Sequence, residues 1–439
     1  SEPFKTIGHS LSLIKDDPTV PTTIYVGEGL FSPSTTGEQF PIILPDFVHL
    51  IGTSRETSIL DAEADFDKES RVIKIVEECE NIKVANFTIT GGNAVSAGCI
   101  GGGGILVTHP DLEYVYDGPV SPVNAVFENL IVTDNTSVAG SGISIWRVSG
   151  PTLSNLIIQD NTSEHYGGGL MIFSATASVT DVVVTGNNCY RNDSYGGGMI
   201  INNSEATLAN VTVTDNTATS GGGIFILDTD ATLINLTVSG NTATAFGGGL
   251  LVGPNTNPTL TNSIIWGNDP TQIQGFGTPI ITYSDIEGGW NGVGNIASDP
   301  LFCNPDSSDF TLAENSPCIG TGEDGTNMGA FDVGCEAILL IDNDVIPLKY
   351  YLHQNYPNPF NPITTLSYDL SEDAMVNITI YDMMGRQVKT LTNGFQTSGH
   401  KSVQWNAANN QGEPASAGIY LYKIQAGDFV DTKKMILLK

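Results

Sequence analysis

Three features of the 439-residue sequence predict an all-β solenoid followed by a small antiparallel β-sandwich. A glycine triplet returns at Gly167-Gly168-Gly169, Gly196-Gly197-Gly198, Gly221-Gly222-Gly223 and Gly247-Gly248-Gly249, with Gly140-Ser141-Gly142 as a weaker earlier copy. The last glycines fall at 142, 169, 198, 223 and 249, so the steps are 27, 29, 25 and 26 residues. Two polar columns keep the same step: Asn135, Asn161, Asn187, Asn216 and Asn241, and Asn129, Asn155, Asp181, Asn210, Asn235 and Asn262. Self-similarity at this period marks a repeat architecture. After Tyr351 the period is lost, and alternating strands with Gly turns about every ten residues take over.

Each repeat is rich in Val, Ile and Thr and is bounded by Gly, Asn and Asp, which argues for strands rather than helices. One unit reads as strand 223–226, turn, strand 231–234, corner at Asn235, strand 236–238, Asn-containing turn, next triplet. Three short strands per coil resemble a rung of a right-handed parallel β-helix, with rungs stacked at ~4.8 Å. Alternation then predicts the inward columns. Leu153, Val179, Leu208, Leu233 and Leu260 line one wall, and Ile158, Val184, Val213, Val238 and Ile265 a second. The third wall pairs Leu170, Met199, Ile224 and Leu250 with Ile172, Ile201, Ile226 and Val252. The Asn columns belong at corners, where side-chain amides can bond the rungs above and below.

Residues 1 to about 70 read as an entry cap and first rungs, because an uncapped terminal rung exposes strand edges and core. A full rung spans 71–93. The stretch 94–122, with four glycines at 101–104 and Asp111, Tyr114, Tyr116 and Asp117, reads as a loop leaving the solenoid. Regular rungs resume at Asn124 and run to about Asp285. The series Asp299-Pro300-Leu301-Phe302, Phe310-Thr311-Leu312, Ser316-Pro317-Cys318 and Gly329-Ala330-Phe331 reads as a closing segment. The expected division is a β-helix over 1–336, a linker over 337–350 and a sandwich over 351–439.

The net charge of −31 is uneven. From Ala337 onward there are 9 acids and 8 bases, leaving 48 − 9 = 39 acids against 17 − 8 = 9 bases before it. A surface carrying about −30 repels nucleic acid and anionic membranes. It attracts cations, so calcium is admissible, although no D-x-D-x-D-G loop is present. No apolar run approaches the ~18–20 residues of a membrane span. The six cysteines contain no C-x-x-C, so zinc is not expected. Cys303, Cys318 and Cys335 cluster, and Cys303–Cys318 is the first pairing to expect. Beginning at Ser1 without Met, the chain reads as a processed, secreted form.

The C-terminal stretch carries the most specific signal. His353-Gln354-Asn355-Tyr356-Pro357-Asn358-Pro359-Phe360-Asn361-Pro362 is followed by Tyr381-Asp382-Met383-Met384-Gly385-Arg386 and by Pro414-Ala415-Ser416-Ala417-Gly418-Ile419-Tyr420. It ends in Lys433-Lys434-Met435-Ile436-Leu437-Leu438-Lys439. These blocks closely resemble the type A C-terminal sorting domain of the type IX secretion system. The resemblance implies an immunoglobulin-like module and the type IX secretion machinery as a partner. It also implies a location outside the cell or on the outer surface of a Gram-negative bacterium, with the sorting signal in residues 433–439. The N-terminal part and the closing segment similarly resemble secreted bacterial β-helix proteins. That fold also hosts pectate lyases and polygalacturonases, so the enzyme reading is weighed on its residues.

Asp134, Asp160 and Asp215 recur in D-N-T turns, but Gly186 and Gly240 occupy the same column. The carboxylates therefore belong to the repeat consensus, where turn capping explains them. A lyase needs a base, and Arg147 and Arg191 are the only Lys or Arg between Lys83 and Lys349. His165 reads as a surface residue. Tyr166, Tyr195 and Phe246 each precede a glycine triplet and would line up as an aromatic ledge, stacking either on sugars or on one another. In the strand after each triplet the middle residue should point outward: Ser144, Met171, Ile200, Phe225 and Leu251. Such an apolar stripe marks a covered face, with a second subunit favoured as the cover over the chain's own residues. The sequence thus favours an extracellular structural or adhesive protein, with self-association, over a polysaccharide-cleaving or glycan-binding one.

Overall fold

The computed structural model describes residues 4–14, 20–76, 80–96, 101–108, 121–338 and 349–438. Asp111, Tyr114, Tyr116, Asp117, Cys79, Cys99, Lys439 and most of the expected linker lie outside them. The chain divides into two compact units, Ser1–Ile338 and Leu339–Lys439.

The first unit is a parallel solenoid with three walls. Sheet A runs from Thr22–Val26 through strands such as Val148–Gln159, Thr176–Thr185 and Glu205–Thr214 to Ile280–Thr282. Among the described residues sheet B has nine strands, from Ile42–Ile43 to Ile273–Gly275, and sheet C has six, from Asn93–Ala94 to Thr242–Phe246. The register is the one the inward columns predict. Leu153, Val179, Leu208, Leu233 and Leu260 are successive partners, as are Leu170, Met199, Ile224 and Leu250. All of them belong to one continuous buried core.

The two Asn columns are built differently. Asn129, Asn155, Asp181, Asn210, Asn235 and Asn262 all hold φ between 52° and 56° and bend sheet A in mid-strand. Asn tolerates this left-handed backbone better than β-branched residues do. The other column is buried. The Asn135 amide bonds Asn161 Oδ1 at 3.0 Å, and the ladder continues through Asn187, Asn216 and Asn241 to Asn268. Each Oδ1 also accepts the backbone N–H of the asparagine one rung earlier, as in Asn187 N to Asn216 Oδ1 at 2.9 Å. The turns read around these residues are in fact the short strands of sheet C.

Two expectations change. The glycines 101–104 do not leave the solenoid: Ile105–Thr108 is a regular sheet B strand, with Ile105 opposite Ile143. The disulfide joins Cys303 to Cys335, not to Cys318. The reason is topological. The hairpin of Phe302–Asn304 with Asp309–Ala313 takes Val333–Cys335 as a parallel third strand, which carries Cys335 to the hairpin. Cys318 instead sits buried among Ile264, Phe302, Phe310, Leu312 and Met328, its thiol donating to Asp285 Oδ2 at 3.2 Å. Burial, and then the Asp285 charge, push that thiol well above its ordinary pKa. The closing segment folds back over sheet A. Ala330 N–H donates to Thr237 Oγ1 at 3.0 Å and Gly329 N–H to the Asn262 carbonyl at 2.7 Å, so Thr237 is buried.

At the other end a short helix, Ile7–Ser12, supplies the cap. The Glu38 carboxylate accepts the Ile7 and Gly8 N–H groups at 2.5 and 3.0 Å, satisfying donors a first helical turn leaves open.

The second unit packs a three-stranded antiparallel sheet (Tyr351–Leu352, Thr364–Leu370, Gly399–Trp405) on a four-stranded one (Gln387–Gln396, Ala374–Asp382, Gly418–Ala426, Phe429–Leu437). Its core holds Leu366, Tyr368, Ile378, Ile380, Trp405, Tyr422 and Met435. The Tyr422 hydroxyl donates to the His353 carbonyl and accepts the Asn355 N–H, both at 2.8 Å, which ties down the H-Q-N-Y-P block. Among the described residues no helix is long and apolar enough to cross a membrane.

Candidate functional site

In the four-residue strands of sheet B, alternation sends the first and third side chains inward and the second and fourth outward. The first outward column is Leu106, Ser144, Met171, Ile200, Phe225 and Leu251, ended by Lys74 and Gln274. The second is Thr108, Trp146, Phe173, Asn202 and Leu227. A third follows at the turn: Arg147, Ser174, Asn203 and Asp228, all with left-handed φ of 46–56°. On the opposite edge stand Ala139, Tyr166, Tyr195, Ser220 and Phe246.

The predicted stripe does lie off the main core, in a separate apolar cluster, yet it is not exposed. Met171, Ile200, Phe225 and Leu251 retain only 2, 3, 8 and 8 % of their surface. The cover is intramolecular, which corrects the preference for a second subunit. The Tyr195 ring lies 5.1 Å from that of Phe225, and Trp146 stacks on Phe173 at 4.1 Å and 6°. A stripe that neighbouring aromatics already shield lacks the free apolar area that an assembly contact would bury.

What results is a groove of about 800 Å³. Its floor is Met171, Ile200 and Phe225. One wall is Tyr166 and Tyr195; the other holds Trp146, Phe173, Ser174, Asn202, Asn203, Leu227 and Asp228. Asn203 Nδ2 donates to Ser174 Oγ at 3.0 Å, so the polar wall is pre-organised. Tyr166 and Tyr195 stack, 6.2 Å apart and 12° from parallel. The expected ledge stops there. Ser220 separates Tyr195 from Phe246, leaving Phe246 outside the groove and 55 % exposed.

Around the corner, on the sheet C side, Glu164 accepts from Arg191 at 2.9 Å and from the Tyr190 hydroxyl at 2.8 Å. His165 pairs with Asp193 at 3.3 Å. The D-N-T carboxylates do not line the groove. Asp134, Asp160 and Asp215 hold φ of 53–56°, as Gly186 and Gly240 do at 65–67°, so left-handed backbone selects Asp or Gly in that column. A Cβ at Gly186 would come within 2.6 Å of Asp160 Oδ1, and one at Gly240 within 2.8 Å of Asp215 Oδ1. Burial, and then the neighbouring Asp134, raise the Asp160 pKa. Among the described residues no group of three or more His, Cys, Asp or Glu could hold a metal ion, so the calcium expectation finds no site there.

The sequence reading reached the floor and the tyrosines but missed the wall. Trp146, Phe173, Asn202 and Leu227 stand four residues after each triplet, and the same alternation that exposed the floor column marks them. Of the expected sorting signal, residues Lys433 to Leu437 belong to the edge strand Phe429–Leu437, with Met435 and Leu437 in the sandwich core and Lys434 and Leu438 exposed.

Comparison with known proteins agrees with this architecture. The family "Protein of unknown function (DUF1565)" matches residues 1–202, and the FlgD Ig-like domain matches residues 362–428. The fold is a parallel β-helix with an Ig-like module behind it. No curated protein matches. Among solved structures, PorU from Porphyromonas gingivalis is 21 % identical over 20 % of this chain and 9 % of its own, with a TM-score of 0.18. The chain therefore spans about a tenth of that protein's length. Pectate lyase Pel9A is 12 % identical, with 75 % of this chain and 91 % of its own covered and a TM-score of 0.43. Tailspike protein 2 of an Escherichia coli O157:H7 bacteriophage is 12 % identical over 95 % of this chain and 64 % of its own, with a TM-score of 0.33.

Proposed function

We propose that the protein is a non-catalytic, saccharide-binding adhesin that its C-terminal module delivers to the outer cell surface. The groove on sheet B carries the binding part of this reading. A pyranose ring offers a C–H face and a rim of hydroxyls. Aromatic walls bury the first, and Ser174, Asn202 and Asn203 can bond the second. Glycoside hydrolysis takes two flanking carboxylates, whereas among the described residues this lining contains Asp228 alone.

Calorimetric titration of the purified chain with a panel of soluble oligosaccharides tests the binding. At least one should bind, and Phe173→Ala with Tyr195→Ala should weaken it tenfold or more while the melting curve stays cooperative. Binding of none, or unchanged binding by the double variant, would sink the proposal.

Delivery by the type IX machinery rests on the residue blocks of the C-terminal module. Deleting residues 433–439 would also remove core residues Met435 and Leu437, so loss of export after that deletion could reflect misfolding alone. Exchanging the exposed Lys434 and Leu438 for Ser spares the core. Retention in the periplasm with an unchanged fold supports the signal; normal surface display of the deleted chain defeats it.

A further inference from the structure

We infer that the groove takes an unbranched, uncharged polysaccharide laid across the rungs, parallel to the solenoid axis, and turns polyuronates away. The inference rests on the saccharide reading above and narrows its ligand class. Two observations carry it.

The first is direction. Floor, tyrosine wall and polar wall are each columns of register-equivalent residues on successive rungs. Floor and walls therefore run along the axis, repeating in position at ~4.8 Å per rung while the residue at each position varies. A linear polymer stays between the two walls over successive rungs only when it follows that direction. Across the axis the groove is bounded on both sides, by Tyr166 and Tyr195 and by Phe173 and Leu227.

The second is charge. Among the described residues Asp228 is the one Asp or Glu in the lining, and no Lys, Arg or His is among them. The nearby cations are engaged or buried: Arg191 is held by Glu164 and His165 by Asp193, and Arg147, at the head of the turn column, is only 2 % exposed. An anionic chain would lose hydration in an aromatic groove with no cation to replace it. It would also approach a protein of net charge −31. A neutral chain meets neither obstacle, and its hydroxyls suit the amides of Asn202 and Asn203. Asp228, exposed at the end of the polar wall, then acts as the residue that excludes uronates.

The test compares linear neutral hexaoses (cello-, manno- and xylohexaose) and their shorter homologues with polygalacturonate, using the full chain. At least one neutral series should gain affinity from disaccharide to hexasaccharide, by about tenfold, and should be unaffected by raising NaCl from 0.05 to about 0.5 M. Polygalacturonate should not bind the native chain, and Asp228→Lys should raise its affinity at least tenfold. Tighter binding of polygalacturonate than of any neutral chain, or no gain from Asp228→Lys, would overturn the charge argument. Affinity independent of chain length would overturn the axial one. In each of those cases saccharide binding itself survives; binding of no saccharide at all would remove the underlying function instead.

Discussion

Sheets A and B obey the same alternation on the same repeat, yet two of their outward ladders have opposite chemistry. On sheet A one outward ladder reads Thr152, Ser178, Thr207, Thr232 and Thr259, partly or fully exposed. On sheet B the outward ladder reads Met171, Ile200, Phe225 and Leu251 and is buried. Position relative to the core is therefore not what buries a residue in this solenoid. Burial depends on what stands beside the ladder: the large neighbours within it, Tyr195 against Phe225, and Trp146, Phe173 and Leu227 in the same apolar cluster. Sheet A has no such flanks, and where it is covered, at Thr237 and Ile264, the closing segment does it.

The largest contrast should come from placing a charge on each face. Phe225→Asp would bury an unpaired carboxylate and cost about 3–5 kcal/mol, whereas Thr207→Asp should cost under about 1 kcal/mol. Urea unfolding of the two variants measures this, and equal midpoints would erase the distinction between the faces.

The two asparagine columns sharpen the same point. Asn216→Leu removes the acceptor of the Asn187 N–H and amide and strands buried groups, at about 1–3 kcal/mol for each. Asn210→Gly keeps the left-handed backbone and removes the exposed bond to Asp181 Oδ1 and the half-buried one from the Asn235 amide, so about 1 kcal/mol should be lost. A larger loss at Asn210 would mean that the corner ladder, not the buried one, holds the rungs together.

Within sheet A, Thr237→Ala should cost about 1 kcal/mol, since Oγ1 holds the closing segment through Ala330. Thr207→Ala should be nearly neutral. Proteolysis in the segment 317–331 should quicken in the first variant and not in the second.

The smallest effect concerns Asp160. Its pKa is raised in the folded state, so the folded chain takes up this proton first as the pH falls. The resulting penalty is fully present above the raised folded pKa and disappears below the unfolded value near ~3.9. Asp160→Asn should therefore stabilise by a few tenths of a kcal/mol at pH 7, roughly within the range of surface substitutions, and by nothing at pH 3. A stabilisation that persisted at low pH would point to backbone effects instead.

Period and alternation alone determined the solenoid, its register and its inward columns, because both are properties of the backbone that every rung shares. They also put Met171, Ile200, Phe225 and Leu251 on the outside of sheet B. The C-terminal blocks determined a separate antiparallel module in the same local way. Tertiary structure alone decided whether those outward residues see water, because their cover comes in large part from residues on other strands, such as Tyr195 against Phe225. It also decided that Cys335 rather than Cys318 reaches Cys303, since strand order in the closing sheet, and not distance along the chain, brings thiols together. Thr237 teaches the same lesson: a residue that alternation points toward solvent is buried by a segment arriving from 93 positions further along the chain.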